Sequence, residues 1–301
     1  MESEQSKNLM FLNQEYIDLK YSSIYQKAIK KQKIISNIKN GGIKYILHYI
    51  RWKTHNTGSK YYSDRETTTP TVGYGINSKI VVYTCITGNY DSIKEPLYVN
   101  DKIDYYIITD MNVPSDSVWK KIDINSIKTL QEYNAADKNR FVKFFPNVIF
   151  PQYDYSIYID GVIQIVADLE PIVEDMGKCL LGVHRHNARN CIYDEAKAII
   201  YAKRAPKDKV LEQTTRYKNE GYPQNNGLYE NTILIRKHND ISCINLMKAW
   251  WEEYMISCKR DQLSLPYIIW KNKFNYKDIY IIGNNLDKNP RFKRTYKHSK
   301  R

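Results

Sequence analysis

Along residues 79–286, short apolar runs alternate with amphipathic stretches, and this rhythm predicts strands and helices in turn. The runs KIVVYTCI from Lys79, IDYYIITD from Ile103, DYSIYIDGVIQI from Asp154, LLGVHRH from Leu180 and ENTILIRKH from Glu230 read as strands. They are short and mostly rich in β-branched and aromatic residues. Helical patterns lie between them at 123–133, 188–203 and 241–255. Strands alternating with helices predict an α/β domain on a mixed, mainly parallel sheet flanked by helices. Ligands of such sheets bind beyond the carboxyl ends of the strands. Thr87, Asp91, Asp110, Asp160, His184 and His186 all fall there.

The first 55 residues follow another rhythm. Ile43, Ile46, Leu47 and Ile50 recur at i, i+3, i+4 and i+7, with Lys44, His48 and Arg51 between them. Gly41 and Gly42 separate this helix from a lysine-rich one before it. The pattern predicts an N-terminal helical extension over 1–55. It either packs on the main domain or lies on a membrane surface as a basic amphipathic anchor. Residues 56–78 are polar, rich in Thr and Gly and without period, as expected of a linker. Residues 287–301 form a basic tail, expected to fray.

Composition changes this picture little, since 42% hydrophobic and 26% charged residues are globular values. Charge changes it more. The net charge of +13 invites a nucleic-acid reading. Yet Lys and Arg outnumber Asp and Glu by 12 to 6 over 1–78 and by 7 to 1 over 287–301, leaving the middle near balance. A specific nucleic-acid partner is therefore not expected, while basic ends would suit an anionic membrane surface. The five cysteines, Cys85, Cys179, Cys191, Cys243 and Cys258, show no C-x-x-C spacing, and a reducing cytoplasm is the expected setting. No run approaches the roughly 20 apolar residues that span a bilayer.

Asp160 is the sharpest chemical signal. A carboxylate at the tip of a buried strand is costly unless a partner meets it. A cation or a ligand hydroxyl would do so, and an ordinary Asp-Gly turn is the plain alternative. Thr84, Thr87 and Gly88 close the first strand, where backbone N–H groups could hold a nucleotide. Asp91 and Asp110 could bond a ribose or a base edge, or serve the turns. Arg140 and Lys143 share a face if their segment is helical, and a diphosphate needs such cations. HRHNARN, from His184, gathers His184, His186 and Arg189 at a strand end. His186 and Arg189 read as substrate or phosphate contacts, and His184 as a ligand available to a metal. Glu230 and Asn231 open the last strand and could hold sugar hydroxyls. Arg260, Asp261 and Gln262 precede an apolar helix. There Asp261 reads as a general base or, equally, as an N-cap.

Six stretches in order carry a resemblance: YTCITGNYD, YYIITD, RFVKFFPNVIFPQYDYSIYIDG, HRHNARNCIYDEA, ENTILIRKHN and RDQLSLPY. Together they resemble a mucilage-related family of glycosyltransferase-like domains, long known only as a domain of unknown function. Its members occur in plants and in bacterial polysaccharide clusters. The stretch YSIYIDG is also similar to the D-x-D strand of GT-A glycosyltransferases, which binds a metal and a sugar nucleotide. Asp160 matches the first acid of that motif, and Val162 stands at the second. The resemblance implies a GT-A-like, Rossmann-like fold over 79–286 and a nucleotide-sugar donor. It further implies a glycan or glycolipid acceptor and a divalent cation, Mn²⁺ or Mg²⁺, at Asp160. Surface polysaccharide assembly on the cytoplasmic side of a membrane is the expected setting. Asp160, Asp261 and His186 would be catalytic. Thr84, Thr87, Gly88, Asp91, Asp110, Arg140, Lys143 and Arg189 would face the donor. Glu230, Asn231, Arg260 and Gln262 would face sugar or acceptor. A hydrolase using the same pocket, or a binding module without catalysis, are the rival readings.

Overall fold

The computed structural model describes residues 65–70 and 78–295. The predicted N-terminal extension, most of the predicted linker and the last residues of the tail lie outside the described residues. The described chain forms a seven-stranded sheet and a two-stranded ribbon. Strands β1 (Ile80–Ile86), β2 (Ile103–Thr109), β3 (Lys120–Asp123) and β4 (Tyr155–Ile159) form one half of the sheet. Strands β6 (Leu181–Arg185), β7 (Tyr229–Arg236) and β8 (Ile279–Gly283) form the other. The order is β3-β2-β1-β4-β7-β6-β8. Within this sheet every pairing is parallel except those of β7, which runs against both β4 and β6. The reversal has a functional consequence: the start of β7 lies at the same edge as the ends of β1, β2, β4 and β6.

The inner strands, such as β1 and β4, are buried on both faces, which is why they read as near-continuous apolar runs. One face carries helices α1 (Ala135–Phe144), α4 (Ile192–Tyr201), α5 (Lys207–Asn219), α6 (Ile241–Ile256) and α7 (Asp261–Lys271), with the short α2 (Pro146–Ile149). Phe144 and Trp250 meet there with ring centroids 4.2 Å apart. The other face is covered by α3 (Glu170–Met176) and the ribbon of β5 (Ile163–Ile165) and β9 (Phe292–Arg294). Two helices begin at side chains suited to the task. Asn134 accepts from the Asp137 N–H at 3.0 Å, and Asp240 accepts from the Ser242 N–H at 2.8 Å.

The structure corrects several expectations. The helix predicted over 123–133 is two 3₁₀ turns, Ile124–Ser126 and Lys128–Leu130. The Asp123 carboxylate accepts from the Asn125 N–H at 2.9 Å and the Ser126 hydroxyl donates to the Asp123 carbonyl at 2.7 Å, so side chains compete with helical bonding. The run DYSIYIDGVIQI is two strands, broken at Asp160 where the Ile163 N–H closes a turn onto the Asp160 carbonyl at 2.9 Å. Residues 289–295 of the expected frayed tail are held. β9 pairs with β5, Phe292 is buried, and Thr295 bonds the Val162 carbonyl through both its N–H and its hydroxyl. Part of the expected linker is also held: Thr67 bridges to Tyr280, and buried Glu66 pairs with Arg185 at 3.1 Å.

Candidate active site

Three elements converge on Asp160. It follows β4, two residues beyond Tyr158, and alternation along a strand puts both side chains on one face. The Tyr158 hydroxyl donates to Asp160 Oδ1 at 2.9 Å. Helix α1 supplies Lys143, whose ammonium is buried and stands 3.8 Å from the same oxygen. It donates to Asp261 Oδ2, at the first turn of α7, at 2.7 Å. Arg140, one turn earlier on α1, places Nε 3.8 Å from that Asp261 oxygen. The predicted pairing of Arg140 and Lys143 on one helical face is therefore present, and both cations meet at Asp261, with Lys143 also reaching the strand tip.

Gly161 makes the tip tight. A Cβ there would lie 2.9 Å from Ile86 Cγ1 and 3.2 Å from Asp91 Oδ2. Close packing against the end of β1 requires this glycine, and it brings the buried Asp91 beside the Asp160 turn. The Asp-Gly pair thus forms a turn and leaves the Asp160 side chain 31% exposed at the sheet edge.

At the neighbouring strand ends, Gly88 has φ 61° and its N–H is shared by both Asp110 oxygens at 3.0 Å. The amide expected to meet a nucleotide is therefore occupied by Asp110. An open cleft of about 500 Å³ lies here, lined by Gly88, Asn89, Asp110, Met111 and Asn112. Thr87 donates to the Ala135 carbonyl at 3.3 Å and so ties this turn to α1. Thr84 is corrected: it lies inside β1 opposite Ile107, buried, and does not reach the cleft.

Asp261 is corrected in role. Burial alone would push its carboxyl up, but Lys143, Arg140 and Arg260 outweigh burial and hold it far below the usual carboxylate range. So weak a base is unsuited to deprotonating an acceptor hydroxyl. Nor is it an N-cap: Arg260 occupies that position, without a capping side-chain bond. Asp261 anchors Lys143. Gln262 donates to the Tyr229 carbonyl at 3.2 Å, tying α7 to β7, and Arg260 is half-buried beside Asp261.

The histidines are corrected as well. His186 Nδ1 accepts from the N–H groups of Ala188 at 3.2 Å and Arg189 at 3.0 Å. That turn delays α4, predicted from residue 188, until Ile192. Burial, reinforced by Arg189, Arg294 and Arg204, lowers the His186 pKa to about 3, so the imidazole is neutral and its role is in the turn. Arg189 donates to the buried Glu195 at 2.6 Å, which commits its charge locally. His184 is fully buried, with Nε2 3.0 Å from Asn289 Nδ2 and its ring edge-on to Phe292. Glu230, at the start of β7, accepts from Thr232 at 2.5 Å and lies 3.6 Å from Arg294. Asn231 is buried, and neither amide atom of its side chain has a hydrogen-bond partner.

A divalent cation does not fit this donor set. Asp160 Oδ1 already has a phenol and an ammonium beside it, Val162 packs against the apolar core, and His184 is engaged by Asn289. Among the described residues, no three His, Cys, Asp or Glu side chains converge on a cation site, so a cation here would take most of its ligands from the diphosphate.

Sequence reasoning missed Tyr158 and Arg236. The alternation in YID was the available signal for Tyr158. Arg236 lay hidden in an apolar strand.

The sheet is mainly parallel, and an acid, two cations and an open cleft lie at its carboxyl edge. The family model described as "TOD1/MUCI70, glycosyltransferase-like domain" matches residues 73–289, and the chain belongs to that family. The probable hexosyltransferase MUCI70 of Arabidopsis thaliana is 24% identical over 219 residues. That match covers 63% of this chain and only 37% of the plant protein. Similar solved structures include the bifunctional glycosyltransferase WbbM, at 14% identity and TM-score 0.40, covering 73% of this chain and 41% of that one. The mannosyltransferase Ktr4p of S. cerevisiae has 10% identity and TM-score 0.38, with 78% and 84% covered. Mouse xyloside xylosyltransferase 1 has 9% identity and TM-score 0.39, with 67% and 84% covered.

Proposed function

We propose that the domain transfers a glycosyl group from a nucleoside-diphosphate sugar to a hydroxyl of a glycan or glycolipid acceptor. The observation that carries this reading is Asp160, held half-open at the strand tip with Lys143 and Arg140 behind it. In the reaction the bond between the anomeric carbon and the diphosphate oxygen breaks. A bond from that carbon to the acceptor oxygen forms, and the acceptor's proton passes to the departing diphosphate oxygen. Departure of the diphosphate builds negative charge, and cations fixed in advance stabilise it without reorganising. Arg140 offers a planar fork for that charge. Asp160 Oδ2 would accept from donor-sugar hydroxyls while Oδ1 is held by Tyr158. The cleft beside Gly88 and Asp110 would take the nucleoside. Family membership supports the same reaction class. A part in polysaccharide assembly, on the cytoplasmic side of an anionic membrane surface reached through the basic ends, belongs to the same proposal.

The test is a panel of uridine, guanosine, adenosine and cytidine diphosphates in thermal-shift measurements, followed by transfer assays with the matching nucleotide sugars. A nucleotide that binds only the native state raises Tm. Asp160→Ala should bind that nucleotide yet lose transfer. Near-normal turnover in Asp160→Ala would sink the proposal, and sugar release to water alone would make the protein a hydrolase.

A further inference from the structure

We infer that the site takes its nucleoside diphosphate without a divalent cation, with Lys143 and Arg140 supplying the positive charge a metal would bring. The inference rests on the transferase reading and goes beyond it by specifying how the diphosphate charge is met.

The first ground is position. Lys143 Nζ lies 3.8 Å from Asp160 Oδ1, so a cation on that oxygen would stand against an ammonium. A dication bound to Asp160 would face that ammonium at short range in a poorly screened interior, where repulsion between like charges is large. The second ground is permanence. The Lys143 side chain is 1% exposed, and a buried ammonium is tolerated only when it is paired. Asp261 at 2.7 Å provides the pairing, and Trp250 and Ser264 both bond the Asp261 carbonyl, fixing the start of α7. The ammonium is thus built into the fold, whereas a metal would be recruited with the donor. The third ground is charge. Lys143, Arg140 and Arg260 all act on the buried Asp261, so three cations gather around one carboxylate, with Asp160 and Asp91 at the edge beside them. Arg189 is paired with Glu195, and Arg140, with its side chain 27% exposed, is the cation open to the phosphates. The fourth is Val162. An alkyl group cannot ligate a metal, and this one packs with the apolar core beneath the ribbon.

The experiment uses the full chain in thermal-shift titrations with the four nucleoside diphosphates, each in EDTA, in Mg²⁺ and in Mn²⁺. The expected result is that one nucleotide raises Tm by the same amount in EDTA as in either metal. Asp160→Asn should keep that binding within about threefold, because the carboxylate holds no metal. Arg140→Gln should weaken it tenfold or more in EDTA, with no rescue by Mn²⁺. This arginine is chosen because Lys143 variants would leave two carboxylates unpaired and could fail to fold. Binding that needs Mn²⁺ or Mg²⁺ and disappears in Asp160→Asn would overturn the inference while leaving the transferase reading intact. Binding by no nucleotide under any condition, in folded protein, would overturn the transferase reading and the inference with it.

Discussion

Arg236 donates a hydrogen bond of 2.6 Å to the main-chain carbonyl of Lys143. The same guanidinium donates to the Tyr83 hydroxyl at 2.7 Å, and it is fully buried in β7. A core arginine therefore fixes the end of α1 against β1 and sets where the Lys143 ammonium emerges. Burial, outweighing the nearby Arg236, holds the Tyr83 phenol up at about 12, so it remains a neutral acceptor for the guanidinium. Arg236→Met should cost about 2–4 kcal/mol in urea unfolding, since the Lys143 carbonyl and the Tyr83 hydroxyl both lose the guanidinium. Tyr83→Phe should cost about 1–3 kcal/mol, because it leaves one buried Arg236 N–H unmet although the bond to Lys143 stays. An Arg236→Met variant as stable as the wild type would show that Arg236 does not brace α1.

The pair of Lys143 and Asp261 makes stability depend on acid. The Asp261 carboxyl is depressed in the folded state, so the unfolded chain binds its proton more readily. Its contribution is fully present above the ordinary carboxylate range and is lost as pH falls through that range towards its own lower value. Asp261→Asn should destabilise the protein at pH 7 by about 3–5 kcal/mol, because it leaves a buried ammonium short of its anion. The difference from wild type should shrink on acidification towards pH 3. Chemical unfolding across that range checks it, and a pH-independent difference would refute the assignment.

His186 acts in a higher window. Its folded pKa of about 3 lies below the ordinary 6.5, with burial the main cause. The unfolded chain therefore takes up a proton that the native turn refuses. The contribution is complete above about pH 6.5 and is lost progressively as pH falls towards 3. His238, lowered to about 4 chiefly by burial, adds to the same trend. His186→Asn can still accept from the turn amides but does not titrate. It should flatten the dependence of unfolding free energy on pH between 3 and 6.5, and adding His238→Asn should flatten it further. An unchanged slope in both variants would mean that these imidazoles titrate freely.

The strands were legible because both faces of the sheet are covered and their apolar runs had no competing period. The edge strand β3, with its exposed Lys120 and Lys121, carried no such run and escaped notice. The turn at 123–133 was misread because its apolar spacing mimics a helix while Asp123 and Ser126 bond the local backbone instead. In the site, Asp160, Arg140 and Lys143 were legible as residue types that burial penalises unless something meets them. What each one meets was not legible, because the pairing of Lys143 with Asp261 joins segments 118 residues apart. The histidines drew notice as chemistry, but nothing in a single sequence distinguishes an imidazole that receives two turn amides from one that faces a substrate.

Asn231 separates folding from ligand binding. Its side chain is buried beside the Asp160 edge, through the bond from the Asp160 N–H to the Thr232 carbonyl at 2.9 Å, and both its amide atoms lack partners. An unmet buried amide costs stability, roughly 1–3 kcal/mol, and a fold keeps such a cost where a ligand is to be met. Replacing it by an apolar residue of similar size removes the cost. Asn231→Leu should therefore leave unfolding free energy unchanged or raise it by up to about 2 kcal/mol. The same variant should raise KM for the nucleotide sugar or the acceptor tenfold or more, with the nucleoside diphosphate alone still bound. Urea unfolding and transfer kinetics on the one variant give both readouts. A loss of stability with unchanged kinetics would make Asn231 a structural residue whose partners are ordered waters.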